Sequence, residues 1–136
     1  MAAEELIWSM TAEDFRRMAL SFPEATESAH VGHPDFRVNG RIFATLGYPD
    51  ESFGVLMLTE NGQAESTRRH PEVFKPVAGA WGRRGNTQVR LANADAALLR
   101  PWMETAWKGI MERKGKKARR NAADAHRSVR HDPGQR

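Results

Sequence analysis

The chain has 136 residues and a mass of 15.3 kDa, enough for one domain and little more. It has no cysteine, which excludes disulfides, thiolate nucleophiles and cysteine-ligated zinc. Its 40% hydrophobic content can build a core, yet no apolar run approaches the roughly 20 residues a membrane-spanning helix needs. Glu4 and Glu5 stand where a secretory leader would be positive, so the expectation is a cytoplasmic protein with no membrane role. The formal charge of +4 is unevenly divided. Residues 112–136 hold nine Lys/Arg and three Asp/Glu, a balance of +6, so residues 1–111 carry −2. The expected organisation is an N-terminal extension (1–10), a folded domain (11–111) and a basic C-terminal tail (112–136).

Thr11 opens a first helix, with Glu13 and Asp14 suiting its dipole. Phe15, Met18, Ala19 and Phe22 then recur at i, i+3, i+4 and i+7, and Pro23 ends the run. Thr26 to His33 reads as a short extended polar stretch. Asp35–Val38, Arg41–Leu46 and Phe53–Leu58 read as three strands, the first two joined by the hairpin signal Asn39-Gly40. Thr59 caps a helix through about Arg69, and prolines and glycines break up residues 71–86. Thr87–Leu91 reads as the last strand. Asn93 or Asp95 caps a final helix whose apolar face carries Leu98, Leu99, Trp102, Met103, Ala106, Trp107 and Ile110. Pro101 predicts either a kink in that helix or a start late enough to put it in the first turn. The expected fold is α+β: a two-layer α/β sandwich with an antiparallel sheet, order α-β-β-β-α-β-β-α, helices on one face and the other partly open.

Strand alternation predicts what the open face presents. If Ile42, Ala44, Leu46, Val89 and Leu91 face the helices, the far side collects Arg37, Arg41, Phe43, Gln88 and Arg90. Guanidinium groups pair with phosphate, and an exposed aromatic stacks on bases. The loop Gly79-Ala80-Trp81-Gly82-Arg83-Arg84-Gly85 adds two cations to glycines that permit close backbone approach, and Trp81 is expected to plug the core edge. Its spacing matches neither a phosphate-binding P-loop nor a dinucleotide fingerprint, so no cofactor is expected.

The segments His33–Leu46 (HPDFRVNGRIFATL) and Pro71–Thr87 (PEVFKPVAGAWGRRGNT), with Thr11–Arg17 and Phe22-Pro23, resemble the MmcQ/YjbR-like family over residues 11–111. The resemblance implies a CyaY-like or secretion-chaperone-like fold and a DNA-binding role through a proposed double-wing arrangement. It brings no catalytic residues.

His30-Val31-Gly32-His33 with Asp35 is the one cluster with metal or acid–base character. Two imidazoles three apart on a non-helical segment lack a third ligand at a convincing spacing, so the expectation is a structural, hydrogen-bonded histidine and no metal. Ser28 and Ser52 have no nucleophile-elbow context. The leading functional expectation is therefore a non-enzymatic DNA-binding protein of low sequence specificity, monomeric or a weak homodimer. Its contacts would be Arg37, Arg41, Phe43, Lys75, Arg83, Arg84 and Arg90 on the domain, and Lys116, Lys117, Arg119 and Arg120 on the tail. The alternative is a protein- or small-ligand-binding module, possibly a homodimer, using the open sheet face, with no nucleic-acid role. A third reading, an enzyme built around His30 and His33, has no assignable reaction.

Overall fold

A computed structural model of the chain describes residues 9–128, with side chains described through Glu112. Helix α1 (Ala12–Leu20) begins in a capping box: Thr11 accepts from the Asp14 N–H, and the Asp14 carboxylate accepts from the Thr11 N–H, both at 3.0 Å. These bonds hold the Asp14 carboxyl below its ordinary range. Strands β1 (Thr26–His30), β2 (His33–Val38), β3 (Arg41–Leu46) and β4 (Phe53–Met57) follow. Helix α2 (Glu60–Arg69) is capped by Thr59, whose hydroxyl accepts from the Gly62 N–H. Then come β5 (Phe74–Pro76), the short helix α3 (Gly79–Arg83), β6 (Asn86–Arg90), a 3₁₀ turn (Leu91–Asn93) and the long helix α4 (Ala96–Ser128).

The six strands form one antiparallel sheet in the order β1-β2-β3-β4-β6-β5. Helices α1, α2 and α4 cover one face, giving the expected sandwich. The polar stretch after Pro23 becomes edge strand β1, exposed along its whole length. The core between the layers is aromatic: Phe15, Phe36, Phe43 and Phe74 are fully buried, with Leu56, Leu99 and Met103. Gly54 has no side chain because the Phe15 ring occupies the space a Cβ would need, 2.7 Å away. Asp95 caps α4, accepting from the Leu98 N–H, while Asn93 instead donates to the Glu72 carbonyl. Helix α4 thus starts five residues before Pro101, which lies inside it rather than in its first turn. It also continues into the basic tail as far as Ser128. Leu6, Ile7 and Trp8 of the N-terminal extension lie outside the described residues. Among those described, no helix is long and apolar enough to cross a membrane.

One irregularity in β3 overturns part of the alternation argument. Phe36 pairs with Ala44 and Arg37 with Ile42, so Phe43 is an extra residue with no partner on β2. Such a bulge breaks the inside/outside rhythm. Phe43 therefore turns into the core, its ring edge-on to Phe22 at 6.3 Å between centroids. Phe22 in turn stacks on Trp107 at 5.7 Å and carries the Arg100 guanidinium on its face at 4.8 Å. Opposite residues of an antiparallel pair share a face. Ile42, beside Arg37, is thus on the side away from the helices, and Arg41, beside the buried Val38, is on the helix side; both reverse the expected placement.

Because the Phe43 ring is part of the core, Phe43→Ala should cost about 3–5 kcal/mol. A chemical-denaturation midpoint close to that of the unmutated chain would show the ring to be a surface group.

Candidate functional site

Register identifies the residues that look away from the helices. Asp35, Thr45, Val55, Gln88 and Lys75 pair in succession and form one row across the sheet from β2 to β5. Thr26, Ser28 and His30 of β1 lie opposite Arg37, Asp35 and His33, extending the same face. This face is not bare. Thr45 is 2% exposed, Val55 0% and Gln88 8%. Its middle is roofed by Tyr48, from the β3–β4 turn, and Trp81, from α3, set edge-to-face at 5.5 Å.

The roof is held by backbone contacts. Gln63 Nε2 donates to the Gly82 carbonyl at 2.8 Å and the Asn86 carbonyl at 2.9 Å, and Asn86 Nδ2 donates to the Trp81 carbonyl at 2.9 Å. A Cβ on Gly82 would meet the Val77 carbonyl oxygen at 1.5 Å, and one on Gly85 the Leu58 oxygen at 2.2 Å. The glycines at these two positions therefore let the chain approach itself, not a ligand, which corrects the expectation for this loop. Trp81 does not plug the helix-side core; it covers the opposite face.

Beside the roof lies a cavity of about 310 Å³ lined by His30, Val31, His33, Thr45, Tyr48 and Trp81. Asp35, fully buried, anchors its flank. Its carboxylate accepts from Arg37 Nε at 2.8 Å and Nη2 at 3.1 Å, and is bonded to His30 Nδ1 at 2.8 Å. The Arg37 bonds, then the His30 bond, hold the Asp35 carboxyl below its ordinary 3.8 against the opposing effect of burial. An ionised carboxylate only accepts, so the hydrogen in the His30 bond sits on Nδ1. That leaves Nε2 as the remaining polar atom of the ring. The cavity floor carries Thr45 Oγ1, buried and without a hydrogen-bond partner.

The hairpin at the cavity rim is unusual. Both tight turns of the β1–β2–β3 meander place their central residues at positive φ. Asn39-Gly40, at 56° and 79°, is the residue pair such turns favour. Val31-Gly32, at 51° and 78°, puts a β-branched residue where L side chains are strained, and Val31 is 90% exposed.

The nucleic-acid contacts expected from the sequence divide into groups. Phe43 is in the core and cannot stack on a base. Arg37 is held by Asp35. Arg90 is exposed, but its guanidinium lies on the Phe53 ring at 4.8 Å from the centroid. Arg41, Lys75, Arg83 and Arg84 are exposed and form no ion pair among the described residues. Lys75, Arg83 and Arg84 belong to the continuous β5–α3–β6 segment at one sheet edge. The side chains of Lys116, Lys117, Arg119 and Arg120 lie outside those described. Sequence reasoning did not find Tyr48 or Thr45 as site residues. Among the described residues no group of three His, Cys, Asp or Glu could hold a metal ion.

The fold and this face define a helix-backed antiparallel-sheet domain of the α/β-sandwich type. Comparison with known families matches residues 20–109 to YjbR, and the chain belongs to that family. The crystal structure of Deinococcus radiodurans protein DR2400, whose domain is described as DUF419, is similar with a TM-score of 0.59 at 18% identity. The match covers 73% of this chain and 77% of that one, and shows a shared fold. No curated protein matches the chain.

Two stability measurements test the site's construction. Asp35→Asn removes a charged acceptor from Arg37 and His30 and costs roughly 2 kcal/mol near neutral pH. Because the folded carboxyl titrates below its unfolded value, the unmutated chain keeps this contribution above about pH 4 and loses it as pH falls through the lowered folded value. The variant's deficit should shrink correspondingly in acid, and a deficit constant with pH would contradict the assignment. Val31→Asn relieves a left-handed β-branched residue and should gain about 1 kcal/mol.

Proposed function

We propose that this YjbR-family chain is a non-enzymatic nucleic-acid-binding protein of low sequence specificity, acting as a monomer or weak homodimer in the cytoplasm. One observation carries the reading: the exposed cations of the β5–α3–β6 segment, Lys75, Arg83 and Arg84, have no carboxylate partner among the described residues. Several other arginines of the domain are neutralised locally. Arg16 lies 2.6 Å from Glu27, and both Arg68 and Arg69 lie 2.6 Å from Glu65. The sequence supplies six further cations in eight residues, Arg113 to Arg120. Phosphates replace the counterions of such a set, and the affinity gained is sequence-independent. The contact surface is narrower than alternation implied: the roofed middle of the sheet face, with Arg37 engaged, is not part of it, and of the row that crosses that face only Lys75, on the edge strand β5, belongs to it.

A second reading, a small-ligand-binding module on the open sheet face, is favoured by the cavity beneath Tyr48 and Trp81. The two readings use different residues, so the cavity does not require the alternative's exclusion of nucleic acid.

The first is tested by fluorescence anisotropy of random duplex and single-stranded oligonucleotides across a salt series. With about five phosphates engaged by the tail, the slope of log affinity on log salt is roughly −4 to −5 for duplex DNA. Replacing the six cations of residues 113–120 by Gln should flatten it, and Arg83→Ala with Arg84→Ala should weaken binding further. Absence of binding at about 50 mM salt, where phosphate contacts are strong, excludes the reading.

A further inference from the structure

The floor of the open-face cavity poses a chemical problem. Thr45 Oγ1 is shut away from bulk water and bonded to nothing among the described residues. A buried hydroxyl without a partner is destabilising, and native structures seldom tolerate one without a reason. The other such hydroxyl, Thr67 Oγ1, does not line this cavity. Valine would fill the place of Thr45 with nearly the same shape and none of the cost.

The walls narrow down what could satisfy it. Four of the six lining residues are ring systems: Tyr48, Trp81, His30 and His33. The first two are already locked edge-to-face, so their orientation is set before anything enters. His30 is likewise oriented in advance: Asp35 holds Nδ1 while Arg37 holds Asp35. The remaining His30 nitrogen and the Thr45 hydroxyl join the His33 imidazole, the Tyr48 hydroxyl and the Trp81 indole N–H as the polar groups of a recess walled mainly by rings. At about 310 Å³ the space is at the small end of ligand sites, which run from about 300 to 1,000 Å³. It suits a single ring rather than a dinucleotide. Val31, strained at the rim and exposed, adds an apolar edge whose cost is understandable if it covers a bound molecule.

We infer that this cavity binds one planar heteroaromatic ring of nucleobase chemistry, with Tyr48 and Trp81 against its faces or edges and Thr45 Oγ1 and His30 Nε2 meeting its hydrogen-bonding edge. The inference rests on the open-face reading and not on the cation-rich sheet edge. The ring has two possible sources, a free base or nucleoside and an unstacked base of a single strand. The chemistry demanded of the site is the same for both.

The test is a ¹⁵N–¹H NMR titration of the full chain with the four common nucleosides, and with phenol and cyclohexanol as comparison probes. At least one nucleoside should give saturable shifts at Val31, Thr45 and the Trp81 indole. Thr45→Val should weaken that binding roughly fivefold, the loss expected for one neutral hydrogen bond, and Thr45→Ser should restore it. Trp81→Ala should weaken it about tenfold or more. Nucleoside shifts that are indifferent to Thr45→Val, or absent from these residues, overturn the inference. Saturation by cyclohexanol or phenol with the nucleosides silent overturns the ligand class and leaves the open-face reading standing. Silence from every probe removes both. A short single-stranded oligonucleotide that displaces the nucleoside from the same residues supports a base within a strand, and failure to displace it supports the free molecule.

Discussion

The open side of this sheet is organised by one buried carboxylate. Asp35 sits on β2 with none of its surface exposed and is held by three hydrogen bonds, two from Arg37 and one from His30. A carboxylate stripped of water is tolerable only when its partners replace the lost hydration. Arg37 does most of this and so stops being a free cation. His30 does the rest and has its ring orientation fixed. A surface that would otherwise read as a row of solvated charges becomes a network of fixed geometry facing one side of a cavity.

The other side of the cavity is made by α3. Its five residues are too few to be stable alone. They are held by Gln63 and Asn86 through backbone carbonyls, and by glycines whose missing side chains let the segment press onto Val77 and Leu58. The result is an indole placed over the sheet from one edge and a phenol ring placed over it from the β3–β4 turn. Polar network and aromatic roof come from opposite ends of the sheet and meet over Thr45.

Charge and cavity are thereby separated. The cations left without carboxylate partners among the described residues include the trio on the β5–α3–β6 segment, whereas the lining of the cavity is mostly aromatic and contains no Lys or Arg. Long-range attraction to a polyanion and short-range recognition of a ring are different physical tasks. The first scales with net charge and is screened by salt; the second depends on exclusion of water and on fixed donors and acceptors. The proposed reading assigns these tasks to separate sets of residues, so either could change without disturbing the other.

Helices α1, α2 and α4, strands β2 to β4 and β6, the Asn39-Gly40 turn and the Thr11 and Thr59 caps were legible in the sequence, because each rests on a local rule: periodicity, a turn pair or a capping side chain. The family was legible too, since its unusual segments occur in order. Four things were not. Helix α3 reads as a loop in the sequence, because glycines occupy two of its five positions. The bulge at Phe43 has no local signature, since a strand with one extra residue alternates like any other until its partner is seen. The ion pair that removes Arg37 needs only Asp35, two residues earlier, but whether that carboxylate is buried depends on what covers it. The cavity joins residues from β1, β2, β3, the β3–β4 turn and α3, as far apart in the chain as His30 and Trp81. The sequence alone determined which segments pack a common core, because periodicity is a property of neighbours. Only the tertiary structure decided what the far face presents, because register, burial and roofing are set by segments distant in the chain.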